Sequence, residues 1–329
     1  MIEAEKPPVT TAPGHGLVVP AVAAVAVVLF LGVGLVGLYR YLDAFWLYRG
    51  FPPPHDPAFV SDAGSSQMIR VRSAAIGGRG QRVVVYLPPG YARSPGQRYP
   101  VFYLLHGFPG DPDGFVRTVR VGVVEDTLLA KHEIRPTILV MPMGSSGIFT
   151  DKEWANGIHA GQDWETFLVR DVVGAIDQRY RTIRSGSDRA LGGLSEGGYA
   201  SLNIGLHHPA EFHVLESWSG YEKADDVKSI FGGRPSLLAR NSPLLTLPHV
   251  ASQLRREGAF VWFYTGSKDG LRQQNARFSS ELARLHVKHE FFLTAGRPQL
   301  GPLAEERMAG DDCRLGPLRT WLGRCETPV

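Results

Sequence analysis

Hydrophobic positions along this chain fall into two regimes. From Leu17 to Tyr39 no charged residue interrupts them. Coiled as a helix that stretch would reach about 35 Å, enough for the ~30 Å hydrocarbon core of a bilayer. Further on, short apolar runs alternate with amphipathic stretches. Met68 to Ala74 and Arg82 to Leu87 predict two strands, with Pro88-Pro89-Gly90 as the exit. Val101-Phe102-Tyr103-Leu104-Leu105 is continuously apolar, as a strand buried on both faces should be, and Thr137 to Met141 repeats the pattern. Val123, Val124, Leu128 and Leu129 mark the apolar face of a helix over 121–132. Trp164, Phe167, Leu168, Val172, Ile176 and Tyr180 mark another. Later strands are predicted at Val214 to Ser217, Phe260 to Tyr264 and Glu290 to Thr294, with a helix over 271–286. Such alternation implies an α/β fold with a mostly parallel central sheet and helices on both faces. No internal repeat interrupts it.

These patterns divide the chain into a tail (1–16), a transmembrane helix (17–39), a juxtamembrane and proline-rich linker (40–66) and an α/β domain (67–329). The apolar run exceeds the ~7–15 residues of a signal-peptide core, and Tyr39-Arg40-Tyr41-Leu42 is unlike a cleavage site. Tyr39, Tyr41, Phe45, Trp46 and Tyr48 fit an interfacial aromatic belt. Gly32, Gly34 and Gly37 spell G-x-G-x-x-G inside the span, but no strand precedes them, so a dinucleotide site is excluded. Phe51-Pro52-Pro53-Pro54-His55-Asp56-Pro57 reads as a stiff linker. A net charge of +3 without a long basic run argues against nucleic acid as a partner. Positive charge near the span slightly favours a cytoplasmic domain. Pairing of Cys313 with Cys325 would instead require an oxidising compartment, and two free thiols remain open. The expectation is a single-pass protein with its domain on the extracytoplasmic side.

The chemistry centres on Gly193-Leu194-Ser195-Glu196-Gly197. With 38 glycines in the chain, composition alone yields such a G-x-S-x-G pentapeptide in roughly one chain in four. Context strengthens it. Arg189-Ala190-Leu191 precedes it as a strand end, and Tyr199, Leu202 and Leu206 follow at i, i+3 and i+7 of a helix closed by His207-His208-Pro209. Strand, tight turn, serine and helix are what a nucleophile elbow needs. An oxyanion hole then needs two backbone donors. The N–H of Glu196 is one, and Phe108, in the loop Leu105-His106-Gly107-Phe108-Pro109-Gly110, is the expected second. Asp111 and Asp113 read as turn formers; no metal site and no cofactor are expected. Asp269, after the Phe260 to Tyr264 strand, sits where a carboxylate orients an imidazole.

Several segments together resemble the esterase D-type esterases, a group that includes the secreted mycolyltransferases of mycobacteria. They are Tyr86-Leu87-Pro88-Pro89-Gly90-Tyr91, Tyr103-Leu104-Leu105-His106-Gly107, Trp164-Glu165-Thr166-Phe167-Leu168, Gly192 to Gly198 and Tyr264 to Asp269. The resemblance covers about residues 68–295. It implies an α/β-hydrolase fold, a Ser-Asp/Glu-His triad, and hydrolysis or transfer of an acyl ester outside the cytoplasm. By position it makes Ser195 the nucleophile, Asp269 the acid, and Phe108 and Glu196 the oxyanion donors.

One departure is large. The family places its histidine after the last strand, in a Gly-Gly-His-Ser-Trp-like or Thr-His-Ser-Trp-like segment. This chain has Thr294-Ala295-Gly296-Arg297-Pro298-Gln299-Leu300, with Arg297 about where histidine belongs. A guanidinium is no general base at neutral pH. His289 opens the last strand, at the opposite end of the sheet. His159, in the loop before the Trp164 helix, is the candidate substitute base, and His106 a weaker one. The expected function is a membrane-anchored serine esterase acting on a small-molecule or lipid acyl ester. The alternative is a catalytically impaired hydrolase that binds a ligand or lipid headgroup, with Arg297 and His106 as contacts. The Leu- and Pro-rich segment 220–259 is a candidate roof over an acyl pocket.

Overall fold

The computed structural model describes residues 18–41, 56–147, 150–225 and 227–294. Arg297, Cys313 and Cys325 lie outside the described residues. The chain divides near Pro52 and Pro53 into two units. In the first, helix α1 (Val18–Tyr41) exposes all of its described side chains and is long and apolar enough to cross a membrane.

The second unit is built on an eight-stranded sheet in the order β1-β2-β4-β3-β5-β6-β7-β8. Its first two strands, β1 (Ser65–Arg72) and β2 (Gly80–Leu87), form an antiparallel hairpin. β1 stops two residues short of its predicted end because Ser73 turns the chain. The Ser73 hydroxyl accepts from Ala75 N at 3.0 Å, and Gly77 closes the turn at φ 72°. β3 (Val101–Leu105), β4 (Ile138–Pro142), β5 (Arg189–Leu194), β6 (Val214–Trp218), β7 (Phe260–Gly266) and β8 (Lys288–Thr294) run parallel, and only the β1–β2 and β2–β4 pairings are antiparallel. β3 and β4 are buried at every position, which is why their sequences do not alternate.

Helices cover both faces. On one lies α2 (Val121–Ala130), packed through Val121, Val124 and Leu128. On the other lie α3 (Trp164–Thr166), continued by a π-helical stretch Phe167–Val172 into α4 (Val173–Arg179), and then α5 (Glu196–His207). The segment expected as a roof forms α6 (Lys228–Phe231), α7 (Pro235–Arg240) and α8 (Pro243–Arg256), with Ile230, Phe231, Leu247 and Leu254 fully or almost fully buried. α9 (Arg272–Arg284) packs Phe278 and Leu282 beneath β7 and β8. This is the α/β-hydrolase architecture: a mostly parallel sheet, helices on both faces, and loops gathered at the C-terminal edge of the strands.

α5 packs against the end of β3 more tightly than a side chain would permit. A Cβ on Gly197 would drive into the Leu105 carbonyl, and one on Gly205 into the Leu215 side chain. Gly197→Ala should therefore cost about 3 kcal/mol of stability, read as a lower urea midpoint at an unchanged m-value.

Candidate active site

β5 ends at Leu194 and α5 starts at Glu196, so Ser195 makes the turn alone. Its backbone sits at φ 55°, ψ −117°, a region that a residue with a side chain seldom adopts. Two bonds hold it there: Ser195 N donates to Trp218 O at 2.9 Å, and Tyr199 N donates to Ser195 O at 3.0 Å. The side chain is exposed and caps nothing in α5. An unengaged hydroxyl at the tip of a strained strand-to-helix turn is the geometry of a nucleophile elbow.

The loop after β3 lies against this elbow. A Cβ on Gly107 would stand 2.7 Å from Leu194 O, 3.1 Å from Ser195 Cβ and 3.6 Å from Glu196 N. The Gly107–Phe108 backbone is thus beside the first N–H of α5, one of the helix donors without an intrahelical partner. Phe108 is 40% exposed and joined to Pro109 by a cis peptide. Beyond it Asp111 accepts from Asp113 N at 2.8 Å, and both carboxylates pair with Arg82 at 3.0 and 2.9 Å. They build the turn, and no cluster able to hold a metal occurs among the described residues.

His106 is the buried floor of this loop rather than a ligand contact or a base. Its Nδ1 donates to Gly107 O at 2.9 Å and its Nε2 accepts from Gly144 N at 3.0 Å. Trp154 Nε1 donates to the His106 carbonyl at 3.1 Å, and the two rings meet edge to face. Burial lowers the imidazole pKa, opposed by the Gly107 bond, so the ring is neutral with both nitrogens engaged. The apolar sheet edge leaves this side chain nowhere else to satisfy its polar atoms.

Asp269 lies in the turn after β7. One oxygen, Oδ2, accepts from Ser219 Oγ and Thr265 Oγ1, each at 3.0 Å; Oδ1 accepts from Leu271 N at 3.0 Å. Three neutral donors fix the carboxylate without a cation. β8 brings the chain back to this spot, since Ser267 N donates to Thr294 O at 2.8 Å. Arg297 would follow three residues later, outside the described residues.

No described histidine bonds to Ser195 or Asp269. His159 is exposed on a loop held elsewhere: Ile158 N donates to Ile230 O at 3.0 Å, and Arg79 bonds Gly161 O at 2.9 Å. His289 stacks on Phe263 and bonds Ser279 Oγ at 3.1 Å at the start of β8.

Several residues at the site carry no signal in the sequence. Ser219, at φ 53°, grips Asp269 from the end of β6. Glu153 accepts from Tyr221 OH at 2.7 Å, and Tyr221 stacks on Tyr199 with ring centroids 4.5 Å apart. Glu222 is wholly buried, and burial pushes its pKa well up, opposed by its own backbone N–H and reinforced by nearby Asp269. Glu153 comes from the loop after β4 and the other three from the loop after β6, so no local pattern groups them with Ser195 or Asp269.

Fold and elbow together define a serine-hydrolase class of protein. Comparison with known proteins narrows it: the Esterase family model matches residues 73–291, and the chain belongs to that family. A curated relative, an endo-1,4-beta-xylanase/feruloyl esterase of Xylanibacter ruminicola, is 33% identical over 146 residues, covering 44% of this chain but 20% of the relative. An esterase of Mycobacterium tuberculosis is 32% identical over 152 residues, covering 46% of this chain and 31% of its own length. The chain thus spans about a fifth to a third of the length of these relatives. Among solved structures, a ferulic acid esterase superposes with a TM-score of 0.66 at 21% identity, over 80% of this chain and 99% of that one. The fluorophosphonate-binding serine hydrolase F of Staphylococcus aureus gives 0.64 at 18% identity, over 80% and 100%. At these identities the superpositions establish the fold.

His106→Ala would leave Gly144 N unpaired beneath the loop and should cost about 2 kcal/mol in chemical denaturation at neutral pH. A buried neutral histidine contributes stability that is present above its unfolded pKa near 6.5 and is lost as pH falls below it. The gap between variant and parent should accordingly narrow in acid.

Proposed function

We propose that this protein is a membrane-anchored carboxylic ester hydrolase with Ser195 as nucleophile. The observation that carries the reading is the exposed Ser195 hydroxyl at the φ 55° elbow, with the Gly107 backbone against it. Ser195 attacks the ester carbonyl. The N–H groups of Glu196 and Phe108 receive the oxyanion, and Asp269 orients the base that takes the serine proton. The alcohol departs, and water or a second alcohol resolves the acyl-enzyme, which gives hydrolysis or acyl transfer. Helix α1 anchors the 67–329 domain, with 40–66 as linker, on the extracytoplasmic side, where esters of small molecules or lipids are its substrates.

No described histidine bonds to Ser195 or Asp269, and the genetic code permits one reading of that gap. Pro298-Gln299-Leu300-Gly301 can be written CCA CAG TTG GGC followed by C. Read one nucleotide later, the same letters give CAC AGT TGG GCC, or His-Ser-Trp-Ala. That is the segment the family resemblance requires after the last strand. We propose that a one-nucleotide change of frame near codon 298 separates this chain from a complete triad. Resequencing the gene across codons 294–302 tests it directly; codons incompatible with that alternative reading refute it.

For the chemistry, purified protein is treated with a fluorophosphonate probe beside Ser195→Ala. Labelling that needs Ser195 is expected, and its absence sinks the nucleophile reading in favour of a binding domain. In a gene that carries those codons, removing the first nucleotide of the Pro298 codon should raise esterase turnover by ~10⁴-fold, the usual worth of a triad member. Loss of residual labelling in His159→Ala would instead make His159 the base.

A further inference from the structure

The turn 151–154 reaches both the loop after β3 and the residue after Ser195, yet the ester chemistry above gives its carboxyl group no task. Glu153 and Trp154 both have positive φ, 50° and 48°, uncommon for residues with large side chains. Trp154 reaches one way, donating to the carbonyl of His106 at the base of the oxyanion loop. Glu153 reaches the other way and is 2% exposed. Its Oε2 accepts from Tyr221 OH at 2.7 Å, and its backbone N–H, which donates to Asp151 Oδ1 at 2.9 Å, lies beside the carboxyl group of Glu196, the residue after Ser195. Tyr221 in turn lies flat on Tyr199 of α5.

We propose that Glu153 is a positioning residue for the oxyanion hole: wedged between Tyr221 and Glu196, it holds the strained turn that fixes the backbone of both donor segments. The inference rests on the Ser195 reading and deepens it. Charge makes the wedge conditional. Burial raises the Glu153 pKa to about 8, offset by the Tyr221 bond and reinforced by Asp151 and Asp225. Glu196 is raised as well, by burial and then by Asp151 and Glu153. Lys152 is the cation of the turn, and its own pKa is lowered by burial and by Arg79. With Tyr199 and Tyr221 un-ionised, a charged Glu153 meets three carboxyl groups and one weakened cation. Raised above its ordinary value of 4.5, Glu153 binds its proton more tightly in the folded state. Its contribution to stability is therefore full in acid and is lost as pH rises through about 8.

The test uses the full chain in detergent, comparing the parent with Glu153→Gln and Glu153→Ala from about pH 6 to about pH 9.5. Two quantities are read: the rate of Ser195 labelling by the fluorophosphonate, and the melting temperature. The parent's labelling rate should fall about tenfold more than that of Glu153→Gln across the alkaline half, as misplaced oxyanion donors cost rate. Its melting temperature should fall relative to Glu153→Gln from about pH 6 to about pH 8 and level off above that, where Glu153 is ionised in both folded and unfolded states. Glu153→Ala should label slowly at every pH, and if it does not fold, Glu153→Gln alone decides. Parallel profiles for parent and Glu153→Gln in both quantities overturn the proposal. Absence of Ser195 labelling in all three proteins removes the nucleophile reading and the oxyanion role together. A pH-dependent melting difference would then mark the failure as that of the nucleophile rather than of the wedge.

Discussion

The close approach of two backbones, the β5–α5 turn and the end of β3, is the constraint on which the rest of this structure depends. Gly107, Gly193 and Gly197 lie at that crossing, and a Cβ on any of them would meet main-chain atoms rather than a side chain that can yield. The contact forces Ser195 to make the turn alone, and it brings the loop after β3 beside the first N–H of α5. A catalytic geometry thus follows from packing: where two peptides touch, donors and a hydroxyl converge without any side chain having to reach. Burial in the core on both sides holds the crossing rigid, through Tyr199 and Leu202 on one face and Phe102 and Leu104 on the other.

Around this crossing the protein places carboxyl groups in two different environments. Asp269 is held by two hydroxyls and a backbone N–H. Glu153 and Glu196 are buried beside each other and the two tyrosines, Glu222 is buried near Asp269, and burial drives all three upward. Kept neutral by burial, these three add no negative charge beside the Ser195 turn. A cluster of ionised acids there would oppose the reaction by the same Coulomb interaction that an oxyanion hole exploits.

Much of this was legible in one dimension. Uninterrupted apolar runs marked β3 and β4, and a 3.6-residue period marked α2 and α5, because both report which faces must leave water. The uncharged run before Tyr39 gave α1 by length alone, and the glycine spacing around Ser195 gave the elbow. The segment over α6 to α8 gave only its composition. There α6 and α7 are short, and α8 buries Leu247, Ala251 and Leu254 at helical spacing but carries Pro243 and Pro248, which obscure the period in the sequence.

What the sequence determined by itself is the class of fold and the place of the serine, since both are local: a periodicity and a tight turn need only neighbours along the chain. What only the tertiary structure decided is which side chains serve the site. His106 looks exposed to a ligand in sequence, but folding buries it and commits both nitrogens. Ser219, Glu153 and Tyr221 look like ordinary loop residues, yet the parallel strands deliver their loops to the same sheet edge. Burial and the company of distant charges set the protonation of Glu153 and Tyr221, and neither is written in the order of residues along the chain.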